Sequence, residues 1–258
     1  MKALLTCSLL SLIAVSSAMA QRPVDAKEIF AKIDRKETVA YDNVAITGDL
    51  DLTSLSNRRS VSNDRWGGNT ESYLSEVGVP LTFRNCTFKG KFLAYRSEPK
   101  GSSLLSGVNN KLFNTNFDEA VTFENCTFED EATFKYSEIR QKAVFRGNTF
   151  RNLALFKYTR FRAAADFNTS EFLGYADFKY THFEEGAGFE KARFSRSADF
   201  KYTHFNEGVN FRNARFETTA DFKYTHLPRG SNFDNAVFDG PADFKYATLD
   251  GRKFSPGR

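Results

Sequence analysis

The run Ala-Asp-Phe-Lys-Tyr-Thr-His-Phe at 176–183 returns at 198–205, again at 220–227 with Leu in the last place, and in degraded form at 242–249. The spacing is 22 residues. A unit this short has no core of its own and buries its apolar face only by stacking on its neighbours, so the pattern predicts a solenoid. Phenylalanine carries the composition signal: 28 Phe beside two Met and one Trp mean that one residue type fills one stereotyped slot many times.

Taking the large apolar residue as the centre of each unit, the centres begin Phe117, Phe123, Phe128, Phe134, Ile139 and Phe145, alternating steps of six and five residues without a slip as far as Leu249. Of the 25 centres, 22 are Phe and the others are Ile139, Leu227 and Leu249. Two residues before each centre the side chain is nearly always small, as at Ala176, Thr181, Ala187 and Ala192, with Val121, Asn148 and Val209 the largest exceptions. Residues two apart on a strand share a face, so the large and the small residue both point inward and the intervening ones outward. Phe134, Phe156, Phe178, Phe200, Phe222 and Phe244 recur in one register and form the expected structural core.

This pattern resembles the pentapeptide-repeat family, whose unit is Ala-(Asp/Asn)-(Leu/Phe)-x-x; Ala-Asp-Phe-Lys-Tyr at 176–180, 198–202 and 242–246 matches it letter for letter. The resemblance implies an all-β fold, a right-handed quadrilateral parallel β-helix with four short faces per coil. The faces here hold 5, 6, 5 and 6 residues, which makes 22 against the family's usual twenty and predicts bulges at two corners. Six coils between Phe123 and Phe254 would rise about 29 Å at the spacing of hydrogen-bonded strands.

Around the regular stretch 117–254 the chain changes character. Residues 1–20 read as a signal peptide: Lys2, an apolar stretch Leu4–Val15, then Ser16-Ser17-Ala18-Met19-Ala20 as a cleavage site, so the mature chain is expected to begin at Gln21 in an extracytoplasmic, periplasmic or secreted, location. Cys7 lies too early in the apolar run for a lipoprotein signal. No later stretch approaches the roughly eighteen apolar residues of a membrane span. Residues 21–53 are expected to hold a first coil, with strand alternation over Val44–Leu52, and a capping helix over Asp25–Asp34, where Asp25 and Glu28 have capping-box spacing and Ala26, Ile29, Phe30 and Ile33 share a face. Residues 54–116 read as irregular coils. Phe83-Arg-Asn-Cys-Thr-Phe88 mirrors Phe123-Glu-Asn-Cys-Thr-Phe128 at an offset of 40, one coil plus 18 residues, so 94–111 is expected to leave the solenoid as a loop, and 54–79 likewise. Residues 255–258 form a tail. No C-terminal cap is visible, although Arg252, Lys253, Pro256 and Arg258 would blunt that edge, and a homodimer through it is conceivable.

Candidate chemistry sits in columns. His182, His204 and His226, the only histidines, occupy one outward register 22 residues apart. Two imidazoles on neighbouring rungs are candidates to share a metal ion, but Glu138, Arg160 and Thr248 take the same register elsewhere and no adjacent carboxylate or cysteine completes a site, so no metal and no cofactor is expected. Lys135 to Lys245 and Asp177 to Asp243 read as an exposed lattice of alternating charge, each pair worth little. Tyr158, Tyr180, Tyr202 and Tyr224, with Tyr136 and Tyr246 beyond them, form a corner ladder that packs on itself or docks a partner. Thr159, Thr181, Thr203 and Thr225 face inward, which removes the comparison with ice-binding threonine columns. Cys86 and Cys126 share the small inward slot; they are a disulfide pair if their coils adjoin and the torsion suits, and otherwise two buried thiols.

Identical rungs argue against catalysis, which needs one differentiated cluster. The formal charge of +4, or +3 once Lys2 is removed, with 35 basic and 32 acidic residues remaining, provides neither a basic stripe for nucleic acid nor the acidic rod with which some pentapeptide-repeat proteins mimic DNA and protect topoisomerases. The preferred expectation is a non-catalytic extracytoplasmic scaffold that binds a protein partner through flat faces and inserted loops. The alternative is a cell-surface glycan, bound or processed by the Tyr and His columns.

Overall fold

The computed structural model describes residues 21–61, 71–99 and 110–254. Residues 1–20, expected as a signal peptide, and residues 62–70, 100–109 and 255–258 lie outside the described residues. In the regular coils each inward pair of a small residue and a Phe brackets one two-residue strand, and the chain then turns a corner instead of reversing. Equivalent strands of successive coils pair in parallel and in register, Ala165 with Ala187, Phe172 with Phe194, Ala176 with Ala198 and Phe161 with Phe183. Sheets of seven, nine, eight and eleven strands result. They are the four sides of a right-handed quadrilateral β-helix. In chain order the first side holds Ala165–Asp166, the second Glu171–Phe172, the third Ala176–Asp177 and the fourth His182–Phe183.

The core is a set of ring columns. On the third side Phe156, Phe178 and Phe200 stack at 5.0 Å between centroids, with planes within 4°. Phe178 also meets Phe167 and Phe189 of the first side edge-on at 5.3 Å. Offset or perpendicular rings suit the aromatic quadrupole, and each buried Phe contributes about 1.5–3 kcal/mol from area alone. From Phe123 to Phe222 all are buried, and toward the C-terminal end Phe233 and Phe238 are partly exposed.

The two five-residue faces end in a tight turn. Thr181 N donates to Phe178 O at 3.0 Å with Tyr180 at φ +59°, and Ser170 N to Phe167 O at 3.2 Å with Thr169 at φ +57°, the geometry of a type II turn. Between 117 and 249 every non-glycine residue at positive φ lies at one of these corners. The expected bulging corners are the six-residue ones, where left-handed backbone is confined to Gly208 and Gly230.

Two kinds of side chain serve the tight turns. Asp177, Asp199, Asp221 and Asp243 accept from the N–H two residues on, at 2.9–3.0 Å, and so do Asp166, Asn210 and Asn232. This is the task of Asp or Asn where either stands before the centre. The inward slot closes the turn from the next coil. Thr159, Thr181, Thr203 and Thr225 donate their hydroxyls to the carbonyls of Phe134, Phe156, Phe178 and Phe200 at 2.7–2.8 Å. Ser170 and Asn148 do the same to Phe145 and Phe123.

Cys86 and Cys126 belong to that device. Their sulfurs donate to Tyr41 O at 3.6 Å and Phe83 O at 3.4 Å, each one coil back, and both are free thiols. The coils do adjoin, with Thr87 opposite Thr127, and each thiol also reaches a carbonyl of its own coil, Cys86 to Arg84 O at 3.0 Å and Cys126 to Glu124 O at 3.5 Å. Of the two readings left open for Cys86 and Cys126, the structure holds two buried thiols.

At the N-terminal end the strand Arg22–Asp25 pairs with Val44–Thr47, and the helix Ala26–Asp34 lies over the opening with Ala26, Ile29 and Ile33 buried. Asp25 caps it by accepting from Lys27 N at 2.9 Å. Glu28 instead accepts from Tyr41 OH at 2.9 Å, so only half of the expected capping box forms. At the other end Arg252–Lys253 turns back antiparallel to Thr248–Leu249 and sets Phe254 against Phe233 and Phe244, at 5.5 and 5.8 Å. Phe254 is thus a closing residue and does not complete a sixth coil.

Candidate functional site

The two insertions, expected as loops, are built largely of strand. Arg59–Val61 runs antiparallel to Glu71–Val77, which pairs in parallel with Asn110–Phe117, which pairs antiparallel with Tyr95–Pro99. The register places Phe113 on Tyr73 and Phe117 on Val77. Both insertions therefore leave the rod at the same corner, between the third and fourth sides of consecutive coils, and join into one four-stranded flap that prolongs the fourth side. Its inner surface is pinned by cations on rings: Tyr73 stacks on Phe113 at 5.0 Å, the Arg96 guanidinium lies 4.0 Å from the Phe113 centroid, and Arg58 lies 5.5 Å from it. Arg96 is held in turn by Thr53 Oγ1 at 2.8 Å and Asp51 at 3.3 Å.

The outer surface of the flap and the adjoining coils enclose a groove of about 390 Å³. Its apolar wall is Val61, Leu74 and Leu112. Opposite run the phenols of Tyr136, Tyr158 and Tyr180, and the floor carries Ser137, Glu138, Arg160 and His182. Charges on the floor are already paired: Glu138 with Arg140 at 3.2 Å and Arg162 at 3.3 Å, Arg160 with Glu184 at 3.0 Å. Asn114 donates to Tyr136 O at 3.4 Å across the junction.

The flap interrupts the slot device. Ser75, Thr115 and Ser137 hold the fourth-side slot in these coils, are buried, and have hydroxyls without a hydrogen-bond partner. Where Phe134 O would receive Thr159, the equivalent Ala94 O receives Thr115 N at 2.9 Å. An unsatisfied buried hydroxyl costs about 1–3 kcal/mol, so the flap is bought with stability.

The tyrosine ladder is a corner element. Tyr158, Tyr180, Tyr202 and Tyr224 stand at φ +57° to +60°, where a side chain costs about 1–2 kcal/mol relative to glycine. Stacking offsets this: centroids follow at 4.7–4.8 Å from Tyr158 to Tyr246, and Lys157, Lys179 and Lys201 lie 5.2–5.4 Å from the rings that follow them in sequence. Each ring from Tyr158 to Tyr224 has a ring on both faces. The ladder thus shows solvent its edges, not its faces. Burial pushes the Tyr136 phenol up to about 12.

His182 and His204 stack at 4.7 Å with planes 4° apart, while His226 is tilted, 6.2 Å away. Burial first, and the neighbouring imidazole second, hold His182 and His204 below the usual histidine range. Ring-nitrogen lone pairs lie in the ring plane, so parallel rings aim them side by side and not at one ion. Among the described residues no group of three or more His, Cys, Asp or Glu is placed to hold a metal. The charge lattice is also thinner than its spacing suggests. Asp177 to Asp243 serve their turns first, and Lys223 is the lysine of the column with ion pairs to Asp221 and Asp243, at 3.0 and 3.4 Å. Burial raises Asp177 and Asp199 above the usual carboxylate range.

Sequence reasoning located the insertions but missed the flap, the groove and Leu74, Leu112 and Ser137. The available signal was alternation in Glu71–Val77 and Asn110–Phe117. Both end on an inward residue, Val77 or Phe117, and both carry a small residue two before it.

Among the described residues no helix is long and apolar enough to cross a membrane. No curated protein and no solved structure matches the chain. The family model of pentapeptide repeats (9 copies) matches residues 178–226. Those residues are pentapeptide repeats, set within a longer β-helix that keeps their stack and their 22-residue period on either side.

Proposed function

We propose that the chain is a non-catalytic extracytoplasmic scaffold that holds a protein partner against the corner where the flap emerges. The observation that carries this reading is the convergence of two insertions, separate in sequence, on one flap anchored by Arg58 and Arg96. Segments without a shared task have no reason to pair, and this pairing leaves three buried hydroxyls unsatisfied. The repeated sides offer no comparable differentiation. The glycan alternative loses its main support, since sugars pack on ring faces and the ladder spends those on itself. A DNA-mimic role lacks the acidic rod.

The test uses a photo-crosslinking residue in place of Leu112 on the flap or Arg193 on the second side, in the native envelope. The expected result is one discrete adduct from position 112 and none from 193. Equal labelling from both positions, or none from either, overturns the reading.

A further inference from the structure

We infer that the groove between flap and rod receives an extended, uncharged peptide segment led by an aliphatic side chain. This rests on the partner-binding reading and narrows it to a chemistry. The wall of Val61, Leu74 and Leu112 is aliphatic, and Leu74 and Leu112 are partly exposed beside one another on paired strands, with Leu112 opposite Ser72 and Asn114 opposite Leu74. Aliphatic walls take aliphatic side chains. A sugar ring would need a ring face, and Tyr158 and Tyr180 have none to give.

Charge complementarity points the same way. The ionised groups of the floor, Glu138 and Arg160, are engaged with Arg140, Arg162 and Glu184, and burial keeps His182 toward its neutral form. A charged segment would enter without a free counter-charge and would lose water on doing so. A neutral backbone has a partner waiting. Asn114 spends its amide N–H on Tyr136 O and keeps its side-chain oxygen for a peptide N–H. The volume of about 390 Å³ suits a few residues of extended chain.

The probe is a displayed library of random linear octapeptides, panned on the full mature chain, with a neutral oligosaccharide array in parallel. Enriched peptides should share an aliphatic residue flanked by uncharged ones. Their affinity should fall roughly tenfold in Leu74→Ala and in Leu112→Ala. Ser137→Ala, which changes only the buried slot beneath the floor, should leave the affinity of the same peptides unchanged. Tyr180→Phe keeps the stack and controls for folding.

Enrichment of charged peptides, binding indifferent to Leu74 and Leu112, or sugar binding lost in those variants would overturn the inference. No enrichment, together with a discrete adduct from position 112, would overturn the peptide groove alone and leave a folded partner on the flap.

Discussion

The coils from Ile139 to Phe222 and those from Val39 to Ser137 are built on the same inward slots but satisfy them differently. In the regular coils a threonine closes the turn of the coil before it, Thr181 on Phe156 O and Thr203 on Phe178 O. In the flap-bearing coils the strands run past the corner, the turn is absent, and Ser75, Thr115 and Ser137 keep buried hydroxyls with nothing to bind. Their core is also mixed, with Val44, Ile46, Leu50, Leu52, Val77 and Leu81 beside Phe83, Phe88 and Phe92. Repetition makes the stack self-sufficient, and the departure from it creates the one surface that differs from its neighbours.

The sharpest way to break this comparison is to hole the regular stack. Phe178→Ala removes a ring with partners above, below and on its edge, and should destabilise by about 3–5 kcal/mol. Hydrogen exchange should show the loss spreading to coils on both sides. A loss confined to one coil would mean that the coils are not cooperatively coupled.

Next come two hydroxyl deletions of opposite sign. Thr203→Val should cost about 0.5–1.5 kcal/mol, because Phe178 O loses a donor. Ser137→Ala should be neutral or stabilising in denaturant unfolding, because an orphan is removed. If both destabilise equally, Ser137 has a buried water as partner and the contrast between the regions dissolves.

The ladder permits a finer cut. Tyr202→Ala loses stacking on both faces and keeps the left-handed strain, whereas Tyr202→Gly loses the stacking and relieves the strain, so the glycine variant should melt higher by about 1 kcal/mol equivalent.

The smallest effect is a pH dependence. Burial raises the folded-state values of Asp177 and Asp199, so their protonated forms favour the fold; that contribution is full below the ordinary aspartate value of 3.8 and is lost as pH rises through the raised folded values. Asp177→Asn keeps the acceptor for Lys179 N, as Asn210 does for Arg212 N. It should therefore be more stable than the parent at pH 7, with the advantage vanishing below about pH 4. An advantage constant across that range would show that charge plays no part.

Much of the fold was legible because its rules are local. Alternating steps of five and six residues, with Phe at the centre and a small residue two before it, state which side chains point inward without reference to distant chain. The offset of 40 between Phe83 and Phe123 likewise appears as observed pairing. The site was far less legible. Tyr158 to Tyr224 left self-packing and docking both open because spacing reveals a column but not ring orientation, and the rings face one another. His182 and His204 stayed weak metal candidates for the same reason. Cys86 and Cys126 shared a slot, but spacing could not show that both thiols reach back to carbonyls of the preceding coil.

By itself the sequence determined the rod: its period, its core, its four sides and the inward slot, all consequences of strand alternation and of a unit too short to fold alone. Only the tertiary structure decided that Arg59–Val61, Glu71–Val77, Tyr95–Pro99 and Asn110–Phe117 meet at one corner and pair there, with Lys111 opposite Glu71 and Phe117 opposite Val77. The physical reason is that pairing between insertions is a long-range contact whose register is set by the coils beneath it. The groove, its neutral floor and the orphaned hydroxyls exist only once those coils are stacked.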